Sequence, residues 1–557
     1  MTRRPRQRRR GERDAAPRAA PAAAQRPAGA AAPGPRLPSW AAFGLALASG
    51  SLWFLASPPF DLAGLAWVAM LPLLYAIQSA PTPGRAALYG WVAGMVTTGG
   101  GFYWLIALLR RFAGFSLPAA GAVFVLFCAY QGCISMASAW TLRRVRDHVP
   151  VPFAVLCPLV VVTFERLVPE LFPCGLWISQ SWHPLVLQIA ELTGPLGVTA
   201  LLFMVNGALY ALLIGRRAAL RQALVAALVV AVVLGGGALR MRQVDAAVAQ
   251  APTLAVGLVQ PNAAYPIDGP IPRAAARDML AALHEQTEQL VRDGAELVVW
   301  SEGSYPFQLP RDLAADFAAG SPYAIRPGAP VPLVVGALTV ARGSEEAYNS
   351  ALLVDRDGRV TGRYDKVRLL AFGEYVPAIE AFPWLRELLP AGAGRFTAGA
   401  GPATLSLTGA DGATRALGPV ICYEDILQGY LRRVGALHPD LLVNLTSDGW
   451  FGAATEPWQH LALSVFASIE LRTTLVRAVN SGVSALVDPN GRLIAHSAAR
   501  DPYRAPHPAE RLLVRAPLLA GGRTVFVVVG NLFGDLCGAA TGVLLVLALR
   551  RARRARR

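Results

Sequence analysis

Seven apolar runs, a long polar block and one closing apolar run follow one another along the 557-residue chain, and this order restricts its fold more than any other feature. The runs lie at about Trp40 to Ala56, Leu62 to Ile77, Ala86 to Leu109, Leu117 to Leu142, Val151 to Phe164, Leu185 to Ile214, Ala223 to Leu239 and Val525 to Leu549. A spanning helix needs roughly 17 to 25 apolar residues, so most runs qualify and the one starting at Val151 is the weakest. The expectation is a membrane protein with eight transmembrane α-helices. With 54% apolar and 16% charged residues, the composition argues against a wholly soluble chain. The first run lacks a small-residue cleavage site and sits behind a long tail, so it does not read as a signal peptide.

Arginine placement orients the spans, because basic residues accumulate on the cytoplasmic side. Arg85, the Arg143/Arg144/Arg146 cluster, Arg216/Arg217/Arg221 and both termini share one side if eight helices alternate; only Arg110 and Arg111 dissent. Residues from about 245 to 520 are then delivered outside the membrane. Of the net charge of +16, most sits at the ends: residues 1–36 hold ten arginines against Glu12 and Asp14, and residues 550–557 hold six. That distribution suits tails facing anionic lipid and disfavours a nucleic-acid partner, whose footprint would lie on a folded face. The expected layout is a disordered basic cytoplasmic tail (1–36), a seven-helix region (37–244), an exported domain (245–520), a final span (521–550) and a basic tail (551–557).

The polar block reads as α/β. Strand-like runs at Thr253 to Val259, Leu297 to Trp300, Leu333 to Val340, Ser350 to Val354, Pro419 to Cys422, Leu441 to Leu445 and Ser484 to Val487 alternate with helical stretches such as Arg273 to Arg292 and Trp458 to Glu470. Asp357-Gly358 and Asn490-Gly491 are hairpin turn signals. The length suffices for a two-sheet core with outer helices. No zinc spacing, P-loop or dinucleotide fingerprint is present, so neither metal nor cofactor is expected.

Three polar residues stand where strands end, the usual place for active-site groups in such folds. Glu302 follows Val298-Val299-Trp300-Ser301, Lys366 follows Arg363-Tyr364-Asp365, and Cys422 ends Gly418-Pro419-Val420-Ile421. Cys422 is the one thiol of the polar block, and Tyr423-Glu424-Asp425 after it looks like a first helical turn, whose dipole favours thiolate. Taken alone, Cys422 also reads as an inert core thiol and Glu302 as a helix cap. Lys366 is harder to set aside: it is the only lysine among 52 basic residues. A compact ammonium can approach a developing oxyanion, which a forked guanidinium cannot do in the same space. His438, on a loop, and His460, in the helix after Trp450-Phe451-Gly452, read as structural rather than as bases.

At these residues the chain resembles the nitrilase (carbon-nitrogen hydrolase) superfamily and, within it, the bacterial apolipoprotein N-acyltransferase family. The resemblance is carried by Trp300-Ser301-Glu302, Tyr364-Asp365-Lys366, Phe372-Gly373-Glu374-Tyr375-Val376-Pro377, Ile421-Cys422-Tyr423-Glu424, Asn444 through Gly452, Gln459-His460 and Arg477 through Gly482. It implies a nitrilase-like αββα sandwich as the exported domain, on the periplasmic side of the bacterial inner membrane. It also implies Cys422 as nucleophile, Glu302 as general base and Lys366 as the oxyanion's cation, with Glu374 assisting in the pocket and Tyr423 and Glu424 supporting the thiol. The implied reaction moves a fatty acyl chain from a phospholipid, through a Cys422 thioester, to the α-amine of a diacylglyceryl-cysteine at an apolipoprotein N-terminus, in a monomer. The sequence departs from the family at Pro261 to Ile271, which lacks the usual Lys-Trp pair, and at Ser301 and Ala371, which replace prolines. Two alternatives stand beside this reading: a membrane-tethered amidase that gives the acyl group to water, and a transporter with a large exported domain, which would show paired half-repeats that the spans lack.

Overall fold

The computed structural model describes residues 37–112, 114–170, 172–173, 175–215, 218–264, 271–326, 328, 330–344, 346–371, 373–375, 382, 396–453 and 455–556. The basic tail at 1–36, Cys174, Arg216, Arg217, Phe372, Val376 and Pro377 lie outside them.

Where alanine, leucine, valine and glycine run uninterrupted, the backbone satisfies itself as helix, as a hydrocarbon surrounding demands. Before the polar block these are α1 (Ser39–Ala56), α2 (Leu71–Ser79), α3 (Pro83–Gly101), α4 (Trp104–Phe112), α5 (Leu117–His148), α6 (Phe153–Leu167), the short α7 (Pro184–Leu187) and α8 (Ala190–Thr193), α9 (Leu196–Leu213) and α10 (Ala219–Gln250). Five described helices are long and apolar enough to cross a membrane (α1, α5, α9, α10 and the one over Leu532–Ala555), or six if the bent pair α3–α4 is one span. The run from Leu62 becomes a 3-10 turn followed by the nine-residue α2, whose Pro72 fits only a first helical turn. The run from Val151 gives the 15-residue α6. The run from Leu185 breaks at Gly194, whose φ of +63 and following Pro195 end one helix and start another.

Small residues set the packing of these helices. A Cβ on Gly90 would lie 2.3 Å from the Ser135 carbonyl oxygen, and one on Gly94 would lie 2.8 Å from the Gly132 Cα. This glycine spacing brings α3 and α5 into backbone contact. After Gly99-Gly100-Gly101 the chain turns by 60° into α4. Arg111 of α4 pairs with Asp501 at 3.3 Å and Phe112 packs on Trp450. Arg110 and Arg111, which dissent from the charge pattern, therefore ride a helix that leaves the span and docks on the polar domain.

That domain is a sandwich of two mixed sheets. The first comprises β1 (Thr253–Gln260), β2 (Leu297–Trp300), β3 (Leu309–Pro310), β4 (Leu333–Val340), β5 (Ala347–Val354), β6 (Val360–Asp365) and, on its far edge, the last strand of the domain. The second comprises β7 (Leu405–Thr408), β8 (Thr414–Ile421), β9 (Leu441–Ser447), β10 (Leu475–Asn480), β11 (Ala485–Val487) and β12 (Leu493–His496); β13 (Glu510–Pro517) is the strand that returns to pair with β1. The central strands β8, β9 and β10 run parallel; β9 and β10 are buried throughout and β8 over its last five residues, as a sheet covered on both faces requires. α11 (Arg273–Arg292) packs on the first sheet, and α12 (Gln428–Gly435) and α13 (Glu456–Leu471) pack on the second, completing the αββα order. The chain then closes through α14 (Val525–Val529) and α15 (Leu532–Arg556).

α13 is buried on every side, because it lies between its sheet and the membrane half. Trp177, between two apolar runs of the membrane half, is buried against Phe466 of α13, with ring centroids 4.7 Å apart. The polar residues near the span ends also find partners. Glu191 accepts from Arg472 at 2.6 Å and Arg240 at 2.7 Å, and Asp535 pairs with Arg166 at 3.0 Å.

Candidate active site

Each candidate side chain is fixed by the strand that precedes it. β2 holds Trp300, whose indole N–H bonds the Thr287 hydroxyl at 2.9 Å, and the chain turns at once into Glu302. Gly336 of β4 must be glycine: a Cβ there would lie 2.1 Å from the Ser301 carbonyl oxygen. β6 delivers Lys366, whose backbone N–H donates to Asn349 of β5 at 2.8 Å. β8 delivers Cys422 at φ +54, a left-handed conformation that a non-glycine residue rarely adopts. Asn444 of β9 holds the Cys422 carbonyl oxygen at 3.0 Å.

The ammonium of Lys366, 1% exposed, lies 2.9 Å from Glu374 and 3.2 Å from Glu302. The Asn349 amide donates to both carboxylates, at 2.7 Å to Glu302 and 3.1 Å to Glu374. Glu374 is held in turn by the Leu370 N–H at 2.8 Å. The structure thus gathers Glu302, Lys366 and Glu374 into one cluster beside Cys422. Tyr423 and Glu424 take positioning roles. The Tyr423 ring lies under the ammonium, 5.7 Å from its centroid, and its hydroxyl donates to Leu369 at 2.7 Å. Glu424 accepts from the Val367, Arg368 and Ile421 N–H groups, each at 2.8 Å, and from the Tyr364 hydroxyl at 2.6 Å. It locks the Lys366 loop to the Cys422 turn. Asn349 was not anticipated: it sits beside Ser350 at the polar start of β5, just before the apolar run that reads as the strand.

The electrostatics correct one expectation. A short 3-10 turn of five residues follows Cys422, too short to present a helix dipole of consequence. Burial pushes the thiol well above its ordinary range, Glu302 adds to this, and Lys366 opposes it without prevailing. Burial likewise raises the Glu302 carboxyl against the pull of Lys366. For Lys366, burial would favour the neutral amine, but the facing Glu302 and Glu374 outweigh it and hold the ammonium charged. The resting site therefore holds a thiol, not a thiolate, and needs a base at the moment of attack.

Cys422 opens into an apolar cleft. Its walls come from both halves of the molecule: Phe102, Trp104, Phe172 and Ile178 from the membrane half, and Leu370, Ile426, Phe451 and Leu463 from the polar domain. The wall is braced by Gln459, which accepts from the Trp104 indole at 3.0 Å and donates to the Gly101 carbonyl, left open by the α3–α4 bend, at 2.8 Å. Behind it, Arg477 bonds Asp425 at 2.6 Å and Asp448 at 3.0 Å, while His460 bridges the same two aspartates at 3.1 and 2.9 Å. Burial opposes the charge on His460, but the aspartates raise it to about 10. Asp448, Glu456 and His460 bring possible metal donors within 4.8 Å of one another. Both His460 nitrogens and both Asp448 oxygens are already engaged, so the group reads as an ion-pair scaffold. His438 donates from Nδ1 to the Gly521 carbonyl, 3.0 Å away, and takes no part in this cluster.

A two-sheet αββα sandwich whose strand ends gather Glu, Lys and Cys is the fold of the carbon-nitrogen hydrolases, and the sequence profile of that family matches residues 246–501. The profile of the apolipoprotein N-acyltransferase N-terminal domain matches residues 49–208. An apolipoprotein N-acyltransferase of Azotobacter vinelandii is 30% identical over 82% of this chain and 87% of its own length. One of Geobacter metallireducens is 28% identical over 91% of this chain and 95% of its own. The chain belongs to the apolipoprotein N-acyltransferase family and is an acyltransferase.

Proposed function

We propose that the chain carries a fatty acyl group from a membrane phospholipid to the α-amine of the diacylglyceryl-cysteine at an apolipoprotein N-terminus, with Cys422 as carrier. The observation that carries this reading is that Cys422, Lys366, Glu302 and Glu374 meet at a cleft walled by aromatic side chains of the membrane half. Hydrolysis of a small amide would need no such wall, whereas an acyl chain must be kept from water. In the first half-reaction Glu302 takes the thiol proton as the sulfur attacks the ester carbonyl. The Lys366 ammonium and a backbone N–H after Cys422 meet the oxyanion. Glu302 then protonates the departing glyceryl oxygen, leaving a thioester. In the second, Glu302 accepts one proton from the incoming ammonium and passes it to water. The free amine attacks the thioester, and the proton lost as the amide forms returns to the Cys422 sulfur.

The same proposal places both tails in the cytoplasm and residues 245–520 in the periplasm, the apolar stretch Ala63–Ser79 that ends in α2 and the 15-residue α6 serving as short crossings that bring the total to eight, in a monomeric enzyme. Its direct test is mass spectrometry of the full chain incubated with phospholipid. A mass increase of one acyl group on Cys422, absent in Cys422→Ser, is the expected result. Rapid release of free fatty acid without an acceptor would favour the amidase reading, and the lack of any adduct would remove Cys422 as carrier.

A further inference from the structure

Glu456 carries a carboxyl into the wall of the acyl cleft, and the chemistry above gives it no task. It opens α13, is 7% exposed, and its Oε2 has no hydrogen-bond partner among the described residues. Its other oxygen stands 3.7 Å from His460 Nδ1, which Asp448 already engages at 2.9 Å. The charged groups that face it are Asp448, His460, Arg477 and Asp425, and the two acids and two bases of that set offset one another. Glu456 is therefore surplus to a scaffold already complete. A buried polar group left unpaired costs about 1–3 kcal/mol, and an acyl chain laid against it cannot repair this. A polar ligand group can.

Resting on the acyl-transfer reading, we propose that Glu456 is the binding point for a primary ammonium brought into the cleft by a lipid substrate, first of all the α-ammonium of the acceptor. A phosphate or a hydroxyl would share only a neutral hydrogen bond with the carboxyl, whereas a primary ammonium gains a full charge partner when the carboxyl ionises. A primary ammonium entering an apolar cleft needs a compensating charge, which the balanced Asp425, Asp448, Arg477 and His460 set cannot supply. At rest, burial and the nearby Asp448 keep the Glu456 carboxyl protonated well above the ordinary carboxylate range. Pairing with the ammonium releases that proton to water, and no covalent bond changes. Glu456 is thus a positioning residue for the second half-reaction, distinct from the bond-making cluster at Cys422.

Because a thioester separates the two half-reactions, they can be measured one at a time on the full chain in detergent or nanodiscs. The donor is phosphatidylglycerol, which has no ammonium, and the acceptor is a synthetic diacylglyceryl-cysteine peptide. For Glu456→Gln we expect the acceptor KM to rise at least about tenfold more than the rate of thioester formation falls, with Glu456→Asp recovering part of the loss. If the loss falls instead on thioester formation from phosphatidylethanolamine and not from phosphatidylglycerol, the ammonium is the donor headgroup's and the assignment of ligand class stands. An unchanged acceptor KM with both donors used at the wild-type rate overturns the proposal. So does an equal loss with both donors, which marks a structural role. If the wild-type chain forms no thioester on Cys422, it is the acyl-transfer reading that fails, independently of Glu456.

Discussion

Lys366 shows how much one side chain can be asked to do. It is 1% exposed, bonded to two carboxylates and fixed by a strand end, and it is the one position where this chain did not use arginine. A surface ion pair contributes about 0–1 kcal/mol, so Lys366→Arg would be nearly neutral if Lys366 were one. At an oxyanion, loss of a donor costs roughly 2.7–4 kcal/mol, a hundredfold to a thousandfold in rate. We expect Lys366→Arg to fold and insert but to form thioester at least about a hundredfold more slowly in single-turnover acylation; retention of more than a tenth of the rate would return Lys366 to the ordinary charges. The neighbouring Glu302 sets the pH response. Its folded carboxyl is raised by burial, so it loses its charge at a higher pH than an exposed carboxylate would as pH falls. Falling pH removes the base, and the acid limb of the acylation rate should lie above the ordinary glutamate value of 4.5. A limb at or below that value would mean that Glu302 does not take the thiol proton.

At the scale of elements, the site depends on helices that never touch the reacting atoms. The α3–α5 contact holds the end of α3, and the bend after it presents Phe102 and Trp104 to the cleft. Gly90 is the tight point, since an added Cβ would also lie 2.5 Å from the Ala139 Cβ. Gly90→Leu should therefore destabilise the chain by about 1–3 kcal/mol through overpacking and shift the cleft wall with it. Gly121 on α5 has nothing within 4 Å of where its Cβ would be, so Gly121→Leu is the matched control. Thermal unfolding in detergent should lower the midpoint for Gly90→Leu alone. Equal effects at both positions would mean that leucine itself, not the α3–α5 contact, is responsible.

For the whole molecule, the arginine pattern predicts both tails on one side and residues 245–520 on the other. Single-cysteine labelling in intact cells and in opened vesicles should find Ala410 accessible from outside and the C-terminal end of α15 only from inside; labelling of both from one side would undo the topology. The sequence by itself determined much of the local structure. The strand at Leu333–Val340 and the helix at Arg273–Arg292 have the bounds their patterns imply, and Asp357-Gly358 and Asn490-Gly491 do turn between paired strands. The order Glu302, Lys366, Cys422 was legible for the same reason, because strand ends and punctuation are encoded within a few residues. The strands at Leu405–Thr408, Leu475–Asn480, Leu493–His496 and Glu510–Pro517 were not anticipated: three are half-exposed edges that acquire strand form mainly from a distant partner, and the buried central one carries Arg477 and Asn480, whose partners lie on other elements. Only the tertiary structure decided that the aromatic Trp177 faces α13 rather than lipid, and that α4 leaves its span to dock on the polar domain. It alone decided that Cys422 rests as a thiol and that Glu456 stands in the acyl wall. A local pattern records which face of an element is apolar, whereas desolvation and partner choice are sums over residues hundreds of positions apart, as the bond from Trp104 to Gln459 shows.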